Sequence, residues 1–119
     1  MLVTFNKLSE RLKNKVMTFF SLENISRLYD GYRRLFKLDG QEVLLIQHDG
    51  VVSLLESTCP HAGYPMLDSK IIDSKLRCQM HGYLFVLVSG ECKLSIEGPC
   101  RGLKVYVLVY RENEVGVMI

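Results

Sequence analysis

Residues 32–57 read YRRLFKLDGQEVLLIQHDGVVSLLES. Three runs rich in Val, Leu, Ile and Phe (32–38, 42–48 and 51–57) are parted by Asp39-Gly40 and Asp49-Gly50. Asp-Gly between apolar runs signals a tight hairpin, because both central positions of the favoured two-residue turn need positive φ. The stretch therefore predicts a three-stranded antiparallel meander. Working outward, further short runs fall at 71–73, 75–78, 83–88, 103–110 and 115–119. Turns are expected at Ser89-Gly90 and at Arg111-Glu112-Asn113. Eight or more short strands imply an all-β sandwich or small barrel. No internal repeat and no low-complexity segment stands out.

The first sixteen residues stand apart. Phe5, Leu8, Leu12 and Val16 recur at spacings of three and four, which fits one face of a short helix. An N-terminal arm or helix over 1–16 is expected, leading into one domain over 17–119. The full chain of 119 residues is 48% apolar and 24% charged, the balance of a globular protein. The longest uncharged apolar stretches, 83–88 and 105–110, are six residues each, whereas a membrane span needs roughly 20. Residues 1–37 carry eight Lys/Arg against three Asp/Glu, and residues 38–119 carry seven against ten. No concentrated basic face is present to neutralise phosphates, so a nucleic-acid partner is not expected. Charges at Lys7, Glu10, Arg11, Lys13 and Lys15 interrupt any export-type apolar core, and a cytoplasmic location is expected.

Four cysteines and three histidines remain to be placed. Two short clusters hold the metal-type ligands, Cys59-Pro60-His61 and Cys78-Gln79-Met80-His81. The pattern is C-x-H, sixteen residues, then C-x-x-H. In extended backbone, Cys59 and His61 would project to the same side. The second pair needs a tight turn to converge, and Gly82 comes directly after it. Two loops could thus meet around one metal centre, and structural zinc also accepts such donors.

This arrangement resembles the Rieske iron–sulfur family, in which two loops carrying C-x-H and C-x-x-H hold a [2Fe–2S] cluster. Pro60, the Ala62-Gly63 step and Pro65-Met66 match that family's first loop. Gly82, Phe85 and Ser89-Gly90 match the stretch after its second loop. Ile96-Glu97-Gly98-Pro99, then Leu103 and Tyr106, resembles its proline-bearing third loop and closing strand. The likeness runs from about residue 19 to the C-terminus. It implies a Rieske-type antiparallel fold with a cluster-binding lobe near 58–83 and a proline loop near 96–102. By the same resemblance, Cys59 and Cys78 ligate the inner iron, and His61 and His81 the outer, solvent-facing one. Gly63, Tyr64, Met80, Gly82, Tyr83 and Pro99 would surround the cluster. Zinc fingers rarely use a Cys–His, Cys–His order with a one-residue gap, so a zinc-stabilised interaction module is the rival from another class.

Mixed ligation has an electrostatic meaning. Four thiolates would leave the oxidised centre a dianion, whereas two thiolates and two neutral imidazoles leave it neutral. An electron adds more easily to the neutral centre, and Rieske potentials accordingly span roughly −150 to +300 mV. High-potential members carry an extra cysteine in each loop, joined as a disulfide, and a serine hydroxyl on a bridging sulfide. The corresponding positions here are Tyr64, Met80 and Tyr83. A low potential and a place among the soluble Rieske-type ferredoxins are expected.

The resemblance implies a one-electron carrier, passing electrons from a flavoprotein ferredoxin reductase to a terminal oxygenase or similar acceptor. The alternative within the family is the small subunit of an assimilatory nitrite reductase. With His61 and His81 assigned to the cluster, only His48 remains, too few for a 2-His-1-carboxylate iron site. No G-x-G-x-x-G loop for a flavin or nicotinamide is present either. No catalytic residue is therefore expected. Cys92 and Cys100 read as small, partly buried thiols, with a disulfide between them disfavoured in a reducing cytosol.

Overall fold

A computed structural model of the chain describes residues 3–5, 17–61, 63–80, 82–95, 98 and 100–119. The strands are β1 (Val3–Phe5), β2 (Phe19–Asn24), β3 (Arg33–Leu38), β4 (Gln41–His48), β5 (Val51–Glu56) and β6 (Lys70–Ile72). They continue as β7 (Lys75–Arg77), β8 (Leu84–Val86), β9 (Cys92–Leu94), β10 (Val105–Tyr106), β11 (Val109–Arg111) and β12 (Glu114–Met118). One 3-10 turn, Ile25–Arg27, interrupts them, with the Asn24 side chain accepting from the Ser26 N–H at its start. Among the described residues there is no α-helix, and no helix is long and apolar enough to cross a membrane.

The meander forms as its turns require. Leu38 faces Gln41 and His48 faces Val51, so Asp39-Gly40 and Asp49-Gly50 are two-residue loops. All four turn residues have positive φ: 49° and 83° in the first, 51° and 77° in the second. A third hairpin of the same kind joins β6 to β7 through Asp73 and Ser74, at φ 50° and 60°.

The central sheet has the order β1-β3-β4-β5-β10 and is covered on both faces. Alternate residues of its strands point to opposite sides. Val43, Leu45 and Leu54 pack with Phe36, Leu22 and Val117 under the sheet β11-β12-β2. Leu44, Ile46 and Leu55 pack with Leu76 and Phe85 under the sheet β6-β7-β8-β9. Three layers result. This is why Val43, Leu44, Leu45 and Ile46 are apolar without alternation: each face of β4 has its own core.

Several expected bounds differ. The single strand over 103–110 divides into β10 in the central sheet and β11 in the outer sheet, with Val107 83% exposed at the crossing. One apolar run thus serves two sheets. The run over 83–88 stops at Val86, where the chain turns back to β9. The helical face over 1–16 does not begin as a helix: Val3–Phe5 is a strand parallel to β3, in register with Phe36, Lys37 and Leu38. Val, Thr and Phe favour extended backbone, and the open edge of β3 offers hydrogen-bond partners. Leu8, Leu12 and Val16 lie outside the described residues. β2 and β9 escape sequence reading because β2 carries no alternation and β9, Cys-Lys-Leu, contains no β-branched or aromatic residue.

Candidate metal centre

The loop after β5 and the loop between β7 and β8 are built alike. The Cys59 N–H donates to the Tyr64 carbonyl (2.8 Å), and the Cys78 N–H to the Tyr83 carbonyl (2.8 Å). The Cys59 carbonyl accepts from the Gly63 N–H (2.7 Å), and the Cys78 carbonyl from the Gly82 N–H (2.9 Å). The fourth residue after each cysteine is a glycine with positive φ, 68° at Gly63 and 72° at Gly82. That left-handed step turns the next tyrosine's carbonyl back onto the cysteine amide. The repeat Cys-x-x-x-Gly-Tyr is visible in the sequence, but a search for ligand types alone passes over it.

Both cysteines are buried, Cys59 at 1% exposure and Cys78 at 0%, in one core with Leu44, Leu55, Leu76 and Phe85. His61 is exposed. The extended backbone expected between Cys59 and His61 is not found: the chain turns after Cys59, with the Gly63 N–H bonded back to the Cys59 carbonyl. One loop therefore sends its thiol inward and carries its imidazole on the exposed rim.

Tyr83 is 1% exposed, and its ring stacks on His61 with centroids 4.5 Å apart and planes 24° apart. The second loop thus supplies the surface that carries the first loop's imidazole. Tyr64 is half-buried against the same core, and Met80 is 53% exposed. Gly63 is exposed and Gly82 buried. His81 and Pro99, with Ala62, Ile96 and Glu97, lie outside the described residues. Among the described residues no three or more His, Cys, Asp or Glu side chains gather as the ligands of one metal ion.

Three polar braces, none legible from ligand motifs, hold this lobe. The Gln79 amide donates to the Asp68 carbonyl (3.0 Å), tying the second loop to the segment that leaves the first. The Arg33 guanidinium donates to the carbonyls of Leu67 (2.8 Å) and Ser69 (2.5 Å). Arg101 grips Glu56 with two bonds of 2.9 and 2.8 Å, and the Lys104 N–H adds a third at 2.7 Å. The Arg101 bonds, helped by Lys104, hold the Glu56 carboxyl below its ordinary pKa of 4.5 against the cost of burial.

None of the four cysteines is in a disulfide. Cys92 and Cys100 are half-buried against the core that contains Cys59. The Cys100 thiol donates to the Arg101 carbonyl (3.2 Å) and the Cys92 thiol to the Leu94 carbonyl (3.6 Å). Burial above all pushes the Cys100 thiol up to about 11.

The model of the Rieske [2Fe-2S] domain matches residues 18–107 of this chain. The chain belongs to the Rieske [2Fe–2S] domain family. Among relatives, it is 28% identical over 68 residues to the ferredoxin component of the alkene monooxygenase system of Xanthobacter autotrophicus, covering 56% of each chain. It is 29% identical over 68 residues to mouse apoptosis-inducing factor 3, covering 57% of this chain. The matched stretch spans only 11% of that larger relative. Among solved structures, the ferredoxin of carbazole 1,9a-dioxygenase from Nocardioides aromaticivorans superposes with a TM-score of 0.71 at 20% identity, over 84% of this chain and 96% of its own. A protein assigned as an NADH-dependent nitrite reductase small subunit, from Mycobacterium tuberculosis, superposes at 0.71 and 21% identity, over 87% and 96%. These likenesses establish a shared fold.

The cofactor of the Rieske domain is one [2Fe–2S] cluster. The residues present fit it. The domain buries two thiols in one apolar core, on loops of matched backbone, and holds an imidazole at the exposed rim beside them. Thiols are the donors iron–sulfur centres require, and imidazole is the substitute that raises their potential.

Proposed function

We propose that this Rieske domain is a one-electron carrier, with Cys59 and Cys78 binding the inner iron and His61 and His81 the outer. The observation that carries the reading is the pair of matched loops, which send both cysteines into one core and leave His61 exposed. A bound [2Fe–2S] cluster supplies a one-electron couple. The chain's own residues do the rest. Leu44, Leu55, Leu76 and Phe85 exclude water around the two thiols. The Gly63 and Gly82 turns fix the spacing of each loop, and Tyr83 holds the imidazole plane of His61. An exposed imidazole at the rim shortens the path to a docked partner, as electron transfer requires.

The partners proposed are a flavoprotein reductase as donor and a terminal oxygenase as acceptor; the Xanthobacter relative, named as the ferredoxin component of a monooxygenase system, supports the oxygenase side. The nitrite reductase alternative shares the fold, but the full set Cys59, His61, Cys78 and His81 favours a carrier. The test is to purify the chain anaerobically, measure iron and sulfide, and record its visible and electron paramagnetic resonance spectra before and after dithionite. Two irons per chain and a Rieske-type signal on reduction are expected. Zinc in place of iron, or a colourless protein, overturns the reading.

A further inference from the structure

In the sheet β6-β7-β8-β9, Leu76 and Phe85 point into the core with Cys59 and Cys78, so their strand neighbours point out. On that outer face Lys70 stands directly opposite Arg77, and Ile72 opposite Lys75. Arg77 and Lys75 in turn face Leu84 and Val86, and Leu84 faces Leu94. The β6–β7 half thus carries three cations, and the β8–β9 half is aliphatic. Lys70, Ile72, Arg77 and Leu94 are exposed. A solvated sheet face is ordinarily polar, but like charges in direct register cost stability. Among the described residues no carboxylate pairs with Lys70, Lys75 or Arg77. The Lys75 ammonium bonds the Asp73 backbone carbonyl instead (3.3 Å). On β3, by contrast, Arg33 is spent on the carbonyls of Leu67 and Ser69, and Arg34 on Glu23. The face also adjoins the second candidate loop. Arg77 directly precedes Cys78, and Leu84 directly follows Tyr83, whose ring stacks on His61. The Arg77 guanidinium lies over Gly82, where a Cβ would stand 3.2 Å from its Nη2.

We propose that this outer face docks an acidic electron-transfer protein, one whose Asp and Glu carboxylates flank an aliphatic patch. Its carboxylates meet Lys70, Lys75 and Arg77 and relieve the repulsion between the two that stand in register. Its apolar patch covers Leu84, Val86 and Leu94, which gives the interface an aliphatic part beside a charged one. A phosphate polymer would satisfy the cations but leave the aliphatic half in water, so the partner is a protein. Docked there, it lies beside the loop of Cys78 and next to the ring that carries the exposed His61 imidazole. The inference deepens the carrier reading and rests on it for the electron; the charge preference of the face stands without it.

The full chain is acetylated at its lysines with and without poly-L-glutamate, a stand-in for an acidic surface, and mapped by peptide mass spectrometry. Protection of about fivefold is expected at Lys70 and Lys75 but not at the exposed Lys37 of β3, and it should vanish in high salt. In a second arm, a reduced acidic ferredoxin of the plant type passes one electron to the oxidised protein in a stopped-flow mixer. Lys70→Glu and Arg77→Glu should each slow that transfer about fivefold at low ionic strength, whereas Arg27→Glu, an equal change in net charge, should alter it less than about twofold. Equal protection of Lys37, or equal slowing by Arg27→Glu, overturns the proposal, because net charge alone then explains the response. Protection by phosphatidylserine vesicles or duplex DNA but not by polyglutamate overturns it as well. A colourless protein that still shows the footprint counts against the carrier reading alone.

Discussion

At the scale of single residues, the lobe depends on side chains that fasten one loop to another. Tyr83 is the clearest. Its ring fills the core and carries His61, so Tyr83→Leu loses both packing and an aromatic stack. A loss of about 2–4 kcal/mol is expected in urea unfolding, together with an altered electron paramagnetic resonance lineshape. Replacing His81 with Ala should abolish the Rieske spectrum or leave an unstable centre; an unchanged spectrum and potential would refute that ligand. By the family resemblance, Tyr64, Met80 and Tyr83 correspond to the positions where high-potential members place a disulfide and a serine hydroxyl. The midpoint potential should therefore lie near the low end of the range, about −150 mV by protein-film voltammetry. Glu56 gives a test by pH. Arg101 and Lys104 depress its folded pKa, so its contribution is complete above the unfolded value of 4.5 and disappears as pH falls through the lower folded value. Stability should fall more steeply between about pH 5 and 3 in the wild type than in Glu56→Gln. Arg101 is largely exposed, so the effect should be of order 1 kcal/mol and weaken in salt.

At the scale of elements, the turns and close approaches decide where strands end. Gly82 and Gly90 both have positive φ, 72° and 74°, but their surroundings differ. A Cβ at Gly82 would lie 3.2 Å from the end of the Arg77 side chain, which can swing away. One at Gly90 would lie 2.0 Å from the Leu103 carbonyl, which is fixed backbone. Gly82→Ala should then cost about 1–2 kcal/mol, the ordinary strain of a left-handed residue. Gly90→Ala should cost clearly more, because β9 must separate from the segment at Leu103. Equal losses in urea titrations of the two variants would contradict this account. The same contact explains a limit of sequence reading. Ser89-Gly90 is legible as a turn, but its distant partner Leu103 is not.

At the scale of the whole molecule, β1 is a three-residue strand at the edge of the central sheet, paired with β3 alone. Removing residues 1–16 should leave a folded domain that still assembles its cluster, at a cost of about 1–2 kcal/mol in urea. Loss of the visible spectrum on truncation would show that the pairing with β3 is essential. The sequence by itself determined the meander, because Asp39-Gly40 and Asp49-Gly50 impose their geometry locally through backbone φ. It likewise carried the proposed ligand set, since Cys59, His61, Cys78 and His81 stand in the C-x-H and C-x-x-H spacing of the Rieske family. Only the tertiary structure decided that the central sheet is covered twice and that one run divides between β10 and β11. It alone placed Tyr83 under His61 and Arg101 on Glu56. These are contacts between segments separated along the chain, made when layers pack to bury apolar surface, and no local pattern of residues encodes which partner will arrive.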